Sequence, residues 1–108
     1  MDINAIAPNI EDTYFNPGFL VLLESHLTYL RTSATLQSTA VSGLQKSKFE
    51  GDFYGLLTDL GIDYRFHYIV LRVNGYDSSA DYRGESDAIV VPALSDIDML
   101  KNIFLTTS

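Results

Sequence analysis

The sequence predicts an α+β fold, and three observations carry that expectation. Apolar residues recur at helical spacing over 17–31, 53–60 and 63–73, while β-branched residues gather at 88–92. Residues that start and stop helices bracket the short ones, Asp52 and Gly61 around one, Asp63 and Asn74-Gly75 around the next. Apolar residues make up 46% of the 108, with seven Tyr and six Phe, enough to close one hydrophobic core.

Each element follows in order. Met1 to Phe15 has no clear period and reads as an extended arm. Asn16-Pro17 opens a helix at about 17–31: Asn caps the free N–H groups, Pro tolerates the first turn, and Phe19, Leu20, Leu23, Leu27 and Leu30 form its buried stripe. Thr32 to Ser47, rich in Ser and Thr, suits a strand or irregular edge segment, and a strand edge is expected at Phe49 ahead of Gly51-Asp52. Asp52 caps a two-turn helix at 53–60. Asp63 caps a second, with Phe66, Ile69, Val70 and Val73 turned inward.

Asp77 to Asp87 is a polar loop, and Ala88 to Pro92 a strand stopped by proline. Ser95 with Asp98 approximates a capping box for a short C-terminal helix carrying Ile97, Leu100, Ile103 and Phe104. Residues 1–44 are thus expected to form an arm, a helix and a Ser/Thr-rich segment packing on a unit at 45–108. Leu56, Leu57, Ile62, Ile69, Val70, Val73, Ile89 and Val91 are expected to share one core.

Composition excludes several functions. With 7 basic and 14 acidic residues the net charge is −7, and no Lys/Arg run offsets it, so nucleic-acid binding is disfavoured. Cysteine is absent, which removes disulfides, thiolate catalysis and sulfur-ligated metals. No apolar stretch approaches the ~20 residues that span a bilayer. Met-Asp-Ile-Asn-Ala-Ile-Ala-Pro carries acid where an export signal carries Lys or Arg, so a chain that stays in the cytoplasm, off the membrane, is expected.

Gly51-Asp52, Leu56-Leu57, Gly61-Ile62-Asp63, Asn74, Gly84 and Ile89-Val90-Val91-Pro92 stand in the order of a LysM module. The stretch 49–92 resembles that family, about two-fifths of the chain. The resemblance implies a βααβ LysM-like core at about 45–94, here with an added N-terminal helix and a short C-terminal helix. LysM modules bind N-acetylglucosamine polymers through the loops after the first strand and before the second, so one implied role is recognition of peptidoglycan or chitin. On that role Gly51, Asp52, Tyr54, Asn74 and Tyr76 would hold the glycan, with the two tyrosines stacking on sugar.

The flanks point elsewhere. A long N-terminal helix before Glu-Gly-Asp-Phe-Tyr-Gly-Leu-Leu, and Pro92-Ala-Leu-Ser-Asp-Ile-Asp-Met-Leu100 after the module, look like the LysM-like wedge subunits of contractile-phage baseplates. This second resemblance implies a non-enzymatic virion structural protein, made in the host cytoplasm and built into the tail. Its partners would be other tail and baseplate proteins in multiple copies.

The remaining residues with chemistry read as structural. His26 and His67 lack any metal or base motif and suit packed or boundary positions. Asp77, Asp81, Glu85 and Asp87 fail the order of a calcium loop, because Tyr82 stands where the sharp-turn Gly belongs. No nucleophile elbow, phosphate loop or dinucleotide fingerprint occurs, so no catalytic, cofactor-binding or metal-ligating residue is assigned and no cofactor is expected. Aromatics exceed what so small a core hides, which favours a protein partner; Tyr14, Phe15, Tyr64, Tyr68 and Phe104 are its candidate contacts.

Overall fold

Asn16 caps the first helix as its sequence requires, accepting a hydrogen bond from the Gly18 N–H at 2.8 Å with Pro17 in the first turn. The computed structural model describes residues 10–107, and the side chains of 13–106. The expected single helix over 17–31 is two, α1 (Pro17–Ser25) and α2 (Leu27–Thr32), broken at His26. The cause is local. Ser25 Oγ and His26 Nδ1 both lie 2.8 Å from the Leu22 carbonyl and donate to it, while the His26 N–H turns to Leu23 instead. The apolar stripe survives the break, with Phe19, Leu23, Leu27 and Leu30 all buried.

The arm differs from its expectation where it is described. Ile10–Phe15 is a 3-10 helix, and Thr13 and Tyr14 are buried; the part before Ile10 lies outside the described residues.

The Ser/Thr-rich segment holds a strand, β1 (Gln37–Ala40), followed by a helix, α3 (Gly43–Lys48), that was not expected. Ser42 and Gln45 start it with a reciprocal capping box, Ser42 Oγ accepting from the Gln45 N–H and Gln45 Oε1 from the Ser42 N–H. The strand edge expected at Phe49 is therefore the C-terminal end of a helix, and the strand lies further upstream. Then come α4 (Phe53–Asp59), a 3-10 turn at Tyr64–Phe66, α5 (His67–Val73), β2 (Ala88–Val91) and α6 (Leu94–Thr107). The caps fall where sequence places them: Asp52 accepts from Gly55, and Asp63 from Arg65. Gly61, at φ +82°, turns the corner between α4 and the 3-10 turn in the left-handed region that side chains avoid.

β1 and β2 form a two-stranded antiparallel sheet, and the fold is α+β. Three helices lie between the strands, α3, α4 and α5. The C-terminal helix runs 14 residues rather than a few. Its first bonds go to the Ala93 carbonyl, so Asp96 occupies the first turn and the expected Ser95–Asp98 box is not the cap. Asp96 accepts hydrogen bonds from the hydroxyls of Tyr29, Ser33 and Thr35, which tie the start of α6 to the end of α2.

The expected single core is two clusters. Ile69 and Val73 join Tyr14, Phe19, Leu23, Leu27, Leu30, Ile97 and Leu100. Leu56, Leu57, Val70 and Ile89 join Val41, Phe53, Leu71 and Tyr82, with Ile62 and Val91 packed against them. The split arises because α5 is buried on two sides. Ile69 and Val73, four apart, share one face, while Val70 and Leu71 take the other.

Candidate functional site

Four of the five aromatics expected at a partner surface meet in one place. Tyr14, Phe15, Tyr64 and Tyr68 line a cleft of about 390 Å³ with Leu20, Tyr54 and His67. Five segments build it: the 3-10 helix at Ile10–Phe15, α1, α4, the 3-10 turn at Tyr64–Phe66, and α5. Tyr14 forms the floor at 4% exposure, edge-on to Phe19 and Phe66 with ring centroids 5.6 and 5.1 Å away. As a surface contact Tyr14 is corrected: it is a core residue, because the chain before Asn16 coils back over α1. Phe15 and Tyr64 form the lip. They are 51% and 62% exposed and stack on each other at 6.0 Å.

Phe104 lies elsewhere. It is half-buried, 5.9 Å from Phe19 and nearly perpendicular to it, in the contact between α6 and α1. That placement corrects it from a partner contact to a helix-packing residue. A wider hollow of about 650 Å³ runs along α6, and its described lining residues all come from that helix.

His67 is buried, and its Nε2 lies 2.8 Å from the Ile62 carbonyl, to which it donates. The ring stacks on Tyr54 at 5.6 Å, fixing both walls of the cleft. Burial, and after it the neighbouring Tyr68, hold the Tyr54 hydroxyl above its ordinary value. The cleft is thus aromatic, with no Asp, Glu, Lys or Arg among its described lining residues.

The two loops implied for glycan also come together. The Tyr54 N–H donates to Ser79 Oγ at 2.9 Å, and Phe53 packs on Tyr76 at 5.1 Å. Their functional groups, however, are turned inward. Gly51 donates its N–H to the Tyr82 carbonyl, and Asp52 caps α4. Asn74 is a clamp: Nδ2 donates to the carbonyls of Val70 and Val90, and Oδ1 accepts from the Val90 N–H. Tyr76 sits against Phe53 and Tyr82 with its hydroxyl on Glu85, which, after burial, raises its pKa. Of the five, Tyr54 lines the aromatic cleft.

The acidic loop is engaged carboxylate by carboxylate. Asp77 pairs with Arg72 at 2.8 Å, Asp87 with Lys46, and Glu85 with Tyr76, while Asp81 accepts from the Ser78 N–H. Gly84 lets this loop approach α3 so closely that a Cβ there would lie 2.6 Å from the Lys46 carbonyl. Among the described residues, no three His, Asp or Glu side chains gather as a metal site requires, and no helix is long and apolar enough to cross a membrane.

Sequence reasoning missed Leu20 and His67 as cleft residues. Leu20 was expected in the buried stripe of α1 and is instead half-buried beside it, at the cleft; His67 carried no signal, because a carbonyl five residues away orients it. No protein-family model, curated protein or solved structure matches the chain.

Proposed function

We propose that this chain is a non-enzymatic structural subunit of a contractile phage tail, a baseplate wedge protein that uses a LysM-like unit, here with a third helix between its strands, as an assembly joint. The observation that supports this reading most is the convergence of Phe15, Tyr54, Tyr64 and Tyr68 on one cleft with no Asp, Glu, Lys or Arg among its described lining residues and a lip that is more than half exposed. Tyrosine-rich, charge-poor hollows are the chemistry of protein–protein hot spots. The cleft lies on the seam between the N-terminal helices and the α4–α5 unit, so a partner seated there contacts both.

The test is incorporation. Phe15→Ser with Tyr64→Ser alters the lip without touching either buried cluster, and the doubly substituted chain is expected to fold and to be lost from particles. Particles that incorporate it normally contradict the reading.

Glycan recognition is the second reading. What favours it is the Tyr54–Ser79 hydrogen bond, which brings together the two loops that carry the ligand in LysM modules. Titration calorimetry with chitin or peptidoglycan oligomers decides it: saturable heat lost in Tyr54→Ala supports glycan binding, and no heat at about 1 mM ligand removes it.

A further inference from the structure

The small sheet has two outer edges, and they are treated differently. β1 and β2 pair Gln37 with Val91, Ser38 with Val90, Thr39 with Ile89 and Ala40 with Ala88. The Val41 N–H continues this ladder to the Asp87 carbonyl at 2.8 Å. In an antiparallel ladder, residues alternate between bonding inward and facing outward. Val41 and Thr39 therefore bond to β2, while Ser38, Ala40 and Val90 turn their N–H and C=O groups away from it.

On the β2 edge those groups are closed. The Asn74 carboxamide accepts from the Val90 N–H at 2.9 Å and donates to the Val90 carbonyl at 2.8 Å, as a neighbouring strand would. On the β1 edge, no hydrogen bond reaches the outward groups of Ser38 or Ala40 among the described residues, and both residues are exposed. Open edges are ordinarily guarded by a charge, a proline or a bulge. None of these guards is present in β1. Thr32 to Gln45 contains no charged residue and no proline, although the chain carries 7 basic and 14 acidic residues.

We infer that the β1 edge is an interface between two copies of this chain, paired antiparallel into a four-stranded sheet. Two arguments select a second copy. At −7 per chain, copies repel across most approaches, and the uncharged 32–45 run is where they meet without like charges opposed. The edge is also self-complementary. With Thr39 facing Thr39, Ser38 of each copy lies opposite Ala40 of the other, and four backbone hydrogen bonds close around a two-fold axis. The inference stands apart from the baseplate reading, since it rests on the strand and not on the cleft.

The test joins sedimentation of the full chain with amide exchange, from about 20 µM to about 1 mM, the range of weak, short contacts. The expected result is a rise from one to two chain masses, with exchange at Ser38 and Ala40 slowing at least about tenfold as the population shifts. Gln37 and Thr39, already bonded within the sheet, change little. Ser38→Lys, a charge on an exposed position, is expected to keep the one-chain mass and the slow exchange of the core. Ser38→Pro, which removes one edge donor, is expected to do the same. A chain that stays one mass to about 1 mM overturns the inference, as does a dimer indifferent to Ser38→Lys, or protection that appears at amides other than these two. Whether the chain is found in particles is read separately and bears only on the baseplate proposal.

Discussion

The two hydrophobic clusters share α5 but are made of different material. The first is nearly all helix, with Phe19, Leu23, Leu27 and Leu30 from α1 and α2 meeting Ile97 and Leu100 of α6 and one face of α5. The second draws on irregular chain. Val41 follows β1, Tyr82 leaves the acidic loop, and both pack with Phe53, Leu56 and Leu57 of α4. The first leaves a periodic trace along its helices; the second does so only in its α4 and α5 residues, not at Val41 or Tyr82. The second depends on polar clamps, chiefly Asn74, to hold its loops against the helices. Because α5 is buried on both sides, neither cluster closes without the other.

The largest effects should show that dependence. Phe19→Ala and Phe53→Ala each delete a fully buried ring, one per cluster, and each is expected to destabilise by about 3–5 kcal/mol. Urea unfolding followed at Tyr14 and at Tyr82 should give one coincident transition in both variants. Separate transitions would break the claim that α5 couples the clusters.

Next is the clamp. Asn74→Ala removes three hydrogen bonds and strips Val90 of both its outward partners, for an expected loss of about 1–3 kcal/mol in the same assay. An unchanged midpoint would mean that the second cluster holds β2 without it.

A smaller effect has the opposite sign. The Tyr82 hydroxyl is buried with no hydrogen-bond partner among the described residues. Tyr82→Phe keeps the ring against Phe53 and removes an unsatisfied group, so it is expected to be neutral or to stabilise by up to about 1 kcal/mol. A clear loss of stability would show that the hydroxyl has found a partner.

The smallest concerns the stitch between the clusters. Arg72 of α5 holds Glu24 of α1 with two bonds of 2.9 Å, and its hydrogen bonds keep the Glu24 carboxyl below its ordinary 4.5. A lowered carboxyl contributes stability above the unfolded value, and that contribution is lost as pH falls below 4.5 through the folded value. Solvent screens this half-exposed pair, so at most about 1 kcal/mol is expected. Arg72→Gln should flatten the acid limb of the stability curve, which thermal melts across pH would show.

Residues whose role is local were legible in the sequence. Asn16, Asp52, Asp63 and Gly61 act where chain chemistry alone puts them, as caps and a corner. The break at His26 was not legible, because it depends on two side chains competing for the Leu22 carbonyl within an unbroken apolar stripe. The helix α3 carried a readable signal in Ser42 and Gln45, hidden by a Ser/Thr content that favours strand. The candidate site was half legible. Aromatic excess marks Tyr14, Phe15, Tyr64 and Tyr68, but which of them floor the cleft and which form its lip depends on the fold-back of Ile10–Phe15. Val41 and Tyr82 joined the core against the polarity of their neighbours, a tertiary effect with no local trace.

The most direct test of the functional account is quantitative mass spectrometry of purified particles made with the wild-type chain and with the Phe15→Ser, Tyr64→Ser chain. The account predicts the wild-type chain at a fixed number of copies per particle and the substituted chain absent from particles though soluble and folded in the lysate. A wild-type chain missing from purified particles, or a substituted chain present at the same copy number, would contradict it.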